Sequence, residues 1–330
     1  MTRRQPPSRP AWVGVACVAF CLATAGRVWG QRLLAYASER SGNTDIRVMR
    51  ASGVGDTPVT THPSLDRHPT WSPDGRQIAF ASDRDGVSQI YVIGRDGTEL
   101  RRLTDDPQGA REPDWHPSEG RLLYSVWQAG GVADILTVDV DSGRVRNVSA
   151  TALEWESAPA WSPNGKQIAA HWSEFPNAPA AVLGIAIMRD DGGHVAEFER
   201  RGMSLSGPSW SPDARRLALL RYPIAGDDGL AIYVLDMDGD ELHRLTEALN
   251  DRWPSWSPDG KEIAFTTYRD GDGEIYSITT ASKVLRRVTH RPGGDYEATW
   301  SPLGLAVQSP FSMSPTFWAW LKGPSTPFHR

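Results

Sequence analysis

The sequence predicts an all-β protein, a six-bladed β-propeller of four-stranded antiparallel blades. Three observations predict this fold. A Trp-Ser-Pro-Asp-Gly motif or a near-copy of it occurs six times, and the intervals between the motif tryptophans are 44, 46, 49, 46 and 44 residues. Each interval holds short alternating apolar runs separated by turn residues, and no long helical period is present. A regular period of this length is typical of propellers, in which each unit is one small sheet.

The motif has the chemistry of a tight turn that follows a buried aromatic residue. It is complete at Trp71–Gly75 and Trp256–Gly260, and near-copies begin at Trp115, Trp161, Trp210 and Trp300. Proline presets the backbone of the turn, Asp or Asn suits the next position, and glycine tolerates the left-handed region after it. The serine can bond back to the turn backbone. We expect the tryptophan to pack between neighbouring sheets.

Four strand-like runs fill each unit. After the first turn come Gln77–Ala81 and Gln89–Ile93, then a more polar run that ends at Leu103-Thr104. The stretch before the next tryptophan supplies the fourth strand. Four strands in about 45 residues are one propeller blade, and a polar outer strand is what an exposed sheet edge needs.

The two ends of the repeat region predict how the ring closes. Residues 32–62 match a unit without its Trp turn, whereas the Trp300 turn is followed only by Leu305–Gln308. We infer that the strand before Trp300 completes the blade that begins at residue 32. Leu33–Ala37 and Leu305–Gln308 both resemble the strand after the turn, so two partitions of this blade remain open. The propeller then spans 32–310, and 311–330 form a C-terminal tail, which packs on the closing blade or binds a partner.

Residues 1–25 have the pattern of a secretory signal peptide. Three arginines and no acid precede an apolar run, which ends in the small-x-small sequence Ala23-Thr24-Ala25. The run is shorter than the roughly 20 residues of a membrane span. An uncleaved N-terminal anchor is the alternative. Either one exports the rest of the chain, so we expect a periplasmic or secreted protein with no transmembrane span in its mature form.

Composition excludes several classes of protein. The 14 tryptophans and 39% apolar content exclude a disordered chain. The net charge is −5, and loss of the three signal arginines takes it to −8, so no nucleic-acid partner is predicted. Both cysteines, Cys17 and Cys21, lie in the signal segment. The mature chain is therefore expected to hold no disulfide and no Cys-ligated zinc.

The repeat resembles that of TolB-type six-bladed propellers, also called WD40-like or PD40 repeats. The resemblance rests on Pro69–Gly86, followed by Gln89-Ile-Tyr91, Asp96-Gly97 and Leu103-Thr104. It implies a propeller, export to the periplasm and a protein-binding role at the propeller mouth. In that family an α/β domain precedes the propeller. Here the repeats begin within about ten residues of the signal, so we expect that domain to be absent.

The candidate site consists of the residues just before each motif tryptophan, because several strands converge at a propeller's tunnel mouth. Counted back from the Trp, position −5 is acidic in four units, at Asp66, Glu156, Asp251 and Asp295. Position −4 includes Arg67, Arg111, Arg252 and Tyr296, and position −3 includes His68, Glu112 and Glu297. We expect this charged ring to bind a polar partner segment or a cation. The other interpretation is that the acids cap loop backbone and pair with the adjacent arginines.

The favoured function is a non-enzymatic scaffold that binds an envelope protein or peptide, as a monomer and without a cofactor or metal. The sequence has no Gly-x-Ser-x-Gly, His-Glu-x-x-His, phosphate-loop or dinucleotide motif. One alternative is a carbohydrate-active hydrolase or lyase that uses a pair of the mouth carboxylates Glu112, Glu156 and Glu297. A second alternative is a module that senses a small ligand.

Overall fold

The computed structural model describes residues 32–302, with gaps at 129–131, 150–153, 175–181, 199–203, 223–228, 239–240 and 248–249. The predicted signal at 1–25, the tail at 311–330 and the run Leu305–Gln308 lie outside the described residues. Within the described ranges, no helix is long and apolar enough to cross a membrane.

Each motif forms the turn between the first and second strands of a structural unit. In the first copy, Oγ of Ser72 accepts the N–H of Gln77 at 2.9 Å, and the N–H of Ser72 donates to the carbonyl of Gln77 at 2.9 Å. Asp74 accepts the N–H of Arg76 at 3.0 Å. Gly75 has a φ of 64°, a conformation that favours glycine. The turn is therefore closed by the side chains that the motif supplies.

Short strands make up the described chain. In order they are β1 (Leu33–Ser38), β2 (Asp45–Arg50), β3 (Thr57–Pro58), β4 (Asp66–Trp71), β5 (Gln77–Ser82), β6 (Gln89–Gly94), β7 (Arg101–Arg102), β8 (Ala110–Trp115), β9 (Arg121–Gln128), β10 (Val132–Asp139), β11 (Val145–Asn147), β12 (Glu154–Trp161), β13 (Gln167–Glu174), β14 (Val182–Arg189), β15 (His194–Phe198), β16 (Ser204–Trp210), β17 (Arg216–Tyr222), β18 (Ala231–Asp236), β19 (Glu241–Arg244), β20 (Asp251–Trp256), β21 (Glu262–Thr267), β22 (Glu274–Thr279), β23 (Leu285–Arg287) and β24 (Asp295–Trp300).

The strands form six antiparallel blades, as predicted. Blades 1 to 5 each use four consecutive strands, from β4–β7 to β20–β23, and blade 6 combines β24 with β1–β3. In blade 6, the N–H of Leu33 donates to Oγ of Ser301 at 3.0 Å, and the N–H of Ser301 donates to the carbonyl of Leu33 at 2.9 Å. These two bonds reproduce the motif turn between residues that are 268 positions apart. The predicted closure is confirmed, and Leu33–Ala37 takes the place of the strand after the turn.

The hydrophobic core lies between the blades. Six apolar clusters each join two neighbouring blades, and each contains one motif tryptophan. Trp71 is only 5% exposed and packs with Ile46 of blade 6 and Phe80 of blade 1. Its indole N–H also donates to the carbonyl of Thr299 in blade 6, at 3.3 Å. The tryptophan therefore joins its own blade to the preceding one, as the sequence predicted.

Two arcs of the ring differ in strand length. In blades 2 to 4 the second strands β9, β13 and β17 have eight, eight and seven residues, against six in β1, β5 and β21. The added residues lie at the end of the tunnel where the inner strands begin, which we call the mouth. Parallel bridges from Ala133 to Trp155 and from Leu183 to Ser204 join blades 2, 3 and 4.

Candidate functional site at the tunnel mouth

The acids at position −5 lie inside their blades. The exposed fractions are 0% for Asp66, Asp251 and Asp295 and 2% for Glu156. The two carboxylate oxygens of Asp66 accept hydrogen bonds from Nη2 of Arg84 at 3.0 and 3.1 Å. The positive charge of the guanidinium offsets the cost of removing the carboxylate from water, so the contact is a buried structural ion pair.

The same pair recurs in blades 5 and 6. Nη2 of Arg269 lies 3.2 Å from Oδ1 of Asp251. Arg40 binds Asp295 and also Asp56, the latter at 2.7 Å. Burial raises the pKa of Asp295 to about 6, although hydrogen bonds and the charge of Arg40 oppose the rise. In these blades the arginine that pairs with position −5 comes from the hairpin after the second strand, and not from position −4.

Position −3 lines the tunnel because a β-bulge interrupts every inner strand. The register between the first and second strands shifts at this point in all six blades. The residues at position −3 have φ values from 49° to 57°, and they are His68, Glu112, Ala158, Gly207, Trp253 and Glu297. Proline follows five of the six and lacks the N–H that a bulge leaves without a ladder partner. All six residues line the same cavity.

The two glutamates at position −3 hold the next blade. Oε2 of Glu112 accepts the N–H of Ala158 at 2.8 Å and the hydroxyl of Ser125 at 2.9 Å. Oε2 of Glu297 accepts the N–H of His68 at 2.7 Å, and Nδ1 of His68 lies 3.5 Å from the same oxygen. Each carboxylate thus satisfies a main-chain donor that the bulge turns towards the tunnel.

Position −1 supplies a second layer of lining residues, farther from the mouth. Its members are Thr70, Asp114, Ala160, Ser209, Ser255 and Thr299. Oδ2 of Asp114 accepts the N–H of Trp161 at 2.7 Å. Burial raises the pKa of Asp114 to about 7 despite this hydrogen bond. Asp114 is the single acid in a layer of hydroxyl and methyl groups.

Arginines lie around the rim of the mouth. Arg67 and Arg111 are exposed and Arg252 is half-buried. The guanidinium of Arg111 stacks over Trp127 at 4.9 Å from the ring centroid, and Trp127 is itself 41% exposed. Among the described residues, no carboxylate forms an ion pair with any of these three arginines. Within the described residues, the N–H donors of Arg67 and Arg111 are therefore available to a ligand, whereas Nε of Arg252 donates to Oδ1 of Asn250 at 2.9 Å.

Blades 5 and 6 contribute three aromatic rings and one guanidinium, a cluster that we call the aromatic platform. Its members are Arg252, Trp253, Tyr268 and Tyr296. The guanidinium of Arg252 lies 5.5 Å from the ring of Tyr268 and 5.9 Å from that of Trp253. The ring of Tyr296 lies 6.2 Å from Trp253 and 6.1 Å from Tyr268. The hydroxyl of Tyr296 donates to Glu39 at 3.2 Å, which fixes the outer end of the cluster.

The longer strands of blades 2 to 4 form the opposite side of the mouth. Trp127 and Tyr222, which is 43% exposed, lie beyond the point where the second strands of the other blades end. His171 of β13 lines the cavity with Nδ1 at 3.3 Å from Oγ of Ser157. Burial lowers the pKa of His171 to about 4, so the imidazole is neutral at pH 7.

The mouth opens into a cavity of about 600 Å³ on the propeller axis, lined by all six inner strands. Over the part of the chain that the structure describes, no group of three or more His, Cys, Asp or Glu side chains could hold a metal ion. The rim carries aromatic rings and arginines that form no ion pair within the described residues, whereas Glu112, Glu297 and Asp114 lie deeper. This arrangement suits a polar ligand that enters along the axis.

The structure brings together only part of the predicted ring. Of the predicted residues, those at the rim or in the cavity are Arg67, His68, Arg111, Glu112, Arg252, Tyr296 and Glu297. Sequence reasoning did not select Asp114, Trp127, His171 or Tyr222. The polar character of position −1 could have pointed to Asp114, whereas the other three lie on second strands whose lengths vary. Nothing in the repeat alone shows that those strands reach the mouth.

Among curated proteins, none matches this chain. Among solved structures, TolB from Acinetobacter baumannii is 18% identical with a TM-score of 0.71, over 82% of this chain and 67% of that protein. Hydrazine synthase from Kuenenia stuttgartiensis is 15% identical with a TM-score of 0.68, over 83% and 47%. Oligogalacturonate lyase from Vibrio parahaemolyticus is 14% identical with a TM-score of 0.52, over 78% and 74%. At these identities the likenesses concern the fold alone.

The family comparison covers the whole repeat region. The family described as PD40, TolB beta propeller domain, matches residues 25–170 and 156–309. These ranges include all six motif turns and the strand that closes the ring. The resemblance seen in the repeated Trp-Ser-Pro-Asp-Gly units is thereby confirmed, and this chain belongs to the PD40 family of TolB beta-propeller domains.

Proposed function

We propose that this protein is an exported, non-enzymatic binding scaffold whose tunnel mouth binds a segment of a protein or peptide partner in the cell envelope. The observation that carries the proposal is the set of arginines at the rim of the mouth. Arg67, Arg111 and Arg252 have no carboxylate partner among the described residues, and two of them stack on aromatic rings above a cavity of about 600 Å³. Stacking orients a guanidinium without using its N–H donors. Arginine and aromatic side chains carry much of the binding energy in protein interfaces.

Export is the second part of the proposal. Residues 1–25 act as the secretory signal, the propeller of 32–310 works in the periplasm or outside the cell, and 311–330 form a tail. The likeness to TolB propellers agrees with an envelope location. Mass measurement of the mature N-terminus, together with cell fractionation, tests this part. A cytoplasmic protein with an intact N-terminus would contradict it.

The positions of the carboxylates support binding over hydrolysis. A glycosidase uses two carboxyl groups that both reach the substrate. Glu112 and Glu297 instead accept main-chain N–H groups of neighbouring blades, and Glu156 is buried. The likeness to oligogalacturonate lyase concerns the fold, so carbohydrate cleavage is the rival function and not a second proposal.

The test is capture of the partner by the exported full-length chain. The tagged protein is cross-linked in the envelope of its own cells, captured proteins are identified by mass spectrometry, and the purified partner is titrated by calorimetry. We expect Arg111→Ser with Trp127→Ser to weaken binding at least tenfold, because interface side chains of these types contribute more than about 1 kcal/mol each.

The matched control is Arg101→Ser. Arg101 is an exposed arginine on the outer strand β7, and its replacement makes the same change in charge away from the mouth. Binding at the mouth would be refuted if Arg101→Ser weakened partner affinity as much as the double variant does. It would also be refuted if neither variant weakened it. Release of cleaved sugar from envelope or plant polysaccharides would instead favour the rival function.

A further inference from the structure

Comparison of the six blades shows that Asp114 is a carboxyl group at a position whose structural role needs only a hydroxyl. In blade 4, Oγ of Ser209 at position −1 accepts the N–H of Trp256 in blade 5 at 3.1 Å. In blade 2, Asp114 makes the equivalent bond to the N–H of Trp161 at 2.7 Å. A neutral hydroxyl is therefore enough to join two blades at this position. When it is ionised, the carboxyl group of blade 2 adds a negative charge to the wall of the tunnel.

Among the described residues, the surroundings of Asp114 supply hydrogen-bond donors but no counter-charge. Oδ2 accepts the N–H of Trp161, and the hydroxyl of Thr70 lies at the long distance of 3.5 Å from Oδ1. In the described part of the chain no cationic side chain forms an ion pair with Asp114. Burial raises the pKa of the carboxyl to about 7, as expected for a group with no counter-charge.

The neighbours of Asp114 indicate which cation would fit. Its layer is otherwise composed of small side chains, among them the hydroxyls of Ser209, Ser255 and Thr299. A primary ammonium group is compact and has three N–H donors, which one carboxylate and hydroxyl oxygens can accept. Calcium takes six to eight oxygen ligands, often from several carboxylates, and this layer has a single carboxylate. A guanidinium is wider than an ammonium group, and it favours a carboxylate whose two oxygens can both accept its parallel N–H donors.

The depth of Asp114 fits a group on a flexible stem. Position −1 lies two residues beyond position −3 along the inner strand, about 7 Å at the usual rise of a strand. The four-carbon stem of lysine carries its ammonium roughly 6 Å from the main chain. A segment that rests on the rim arginines would therefore place a lysine ammonium near Asp114.

We propose that Asp114 binds a primary ammonium group inside the tunnel, carried by a lysine of the partner segment or by a small free amine. The lysine form rests on the proposed function, because the segment must lie at the mouth. The free-amine form does not. In both, the Asp114 carboxylate supplies the charge, and the hydroxyls of the same layer accept the remaining N–H donors.

The test is calorimetric titration of the mature full chain with two matched pairs of probes. The first pair is N-acetyl-Gly-Lys-Gly-amide and the same peptide with norleucine in place of lysine. The second pair is pentylamine and pentanol. We expect binding of the lysine peptide or of pentylamine, at least tenfold weaker binding of its neutral counterpart, and a loss of at least tenfold in Asp114→Ser. If neither amine binds, or if the neutral probes bind equally well, the proposal is wrong.

Asp114→Ser copies blade 4, so it keeps an acceptor for the N–H of Trp161 and should fold. Asp114→Asn, which keeps the shape of the side chain, is the second variant, and circular dichroism checks both. The control Asp141→Ser removes an exposed carboxylate from an outer turn and should leave binding unchanged. If Asp141→Ser weakens binding as much as Asp114→Ser, the attraction is general and the assigned site is wrong.

A pH series separates the Asp114 carboxylate from the other groups of the cavity. The titratable side chains that also line the cavity are His68, Glu112, His171, Tyr222 and Glu297, and they are the same in the wild type and in Asp114→Ser. As pH rises from 6 to 8, Asp114 becomes charged while an alkylammonium stays protonated, so binding to the wild type should strengthen about tenfold. Asp114→Ser should lack this gain. An equal gain in both proteins would assign the effect to another group and overturn the proposal.

The outcomes also separate this inference from the proposed function. If Asp114→Ser keeps full affinity for the captured envelope partner and for both amines, the inference fails and binding at the mouth still stands. If Arg111→Ser with Trp127→Ser leaves partner capture intact, the proposed function fails, whereas binding of pentylamine to Asp114 is measured independently.

Discussion

Replacement of Arg84 by glutamine should cost this propeller about 4 kcal/mol of unfolding free energy. Asp66 is fully buried, and both of its carboxylate oxygens depend on Nη2 of Arg84, at 3.0 and 3.1 Å. Removal of one partner of a buried ion pair costs about 3–5 kcal/mol, because the other charge is left without water or a counter-charge. The guanidinium also lies 4.7 Å above the ring of Tyr91, which adds about 0.5–1 kcal/mol.

A loss of this size should lower the melting temperature by about 10 °C in a domain of this length. Thermal and denaturant unfolding followed by circular dichroism measure it. Blade 2 provides the control, because Ala110 and Gln128 occupy the positions of Asp66 and Arg84 in its strands. The double variant Asp66→Ala/Arg84→Gln should recover at least half of the loss. A cost below 1 kcal/mol for Arg84→Gln, or a double variant less stable than the single one, would refute the reasoning.

Three further outcomes follow from the same packing. Trp300→Ala should cost about 3–5 kcal/mol in denaturant unfolding, because its buried ring joins the closing blade to blade 5; a cost below 1 kcal/mol would contradict that role. Gly192→Ala should destabilise more than Gly42→Ala. Both have positive φ, but a Cβ at Gly192 would lie 2.1 Å from a main-chain oxygen, whereas Gly42 has open space; equal melting temperatures would contradict this. Stability should fall by about 3 kcal/mol as pH rises from about 4 to about 7, because burial raises the folded pKa of Asp114 to about 7 and the native state keeps a proton that the unfolded chain loses. Asp114→Ser should remove this part of the pH profile, and an unchanged profile would count against it.

The fold could be predicted because its determinants recur in the chain. Each motif carries its own turn chemistry and its own tryptophan, so six copies specify six equivalent blades and six clusters between them. The closure of the ring could also be predicted from the sequence. Leu33–Ala37 lacks a preceding turn, whereas the turn at Trp300 lacks a complete unit after it. What the pattern left open was which run follows the last turn, and the two bonds between Leu33 and Ser301 decide it.

The site was harder to predict because the direction of each side chain depends on the bulge. Position −5 precedes the bulge and points into the blade, whereas position −3 lies within it and faces the tunnel. One signal was present in the sequence: where position −5 is Asp, the hairpin after the second strand carries Ser-x-Arg or Thr-x-Arg. The arginines in question are Arg40, Arg84 and Arg269. An acid and an arginine that occur together in three units, and are both missing in blade 2, indicate a structural pair.

The two arcs of the ring therefore stabilise the mouth in different ways. Blades 5, 6 and 1 each contain a buried Arg–Asp pair and carry the aromatic platform together with Arg67. Blades 2 to 4 have Ala110, Glu156 and Leu205 in place of those aspartates, join one another by bridges, and extend their second strands beyond the mouth. A buried Arg–Asp pair needs a hairpin of fixed length, because the hairpin holds the arginine. A blade without this pair can lengthen its hairpin, since no buried ion pair is lost. Variation in what the mouth binds should therefore arise in blades 2 to 4, while blades 5, 6 and 1 keep the closed ring intact.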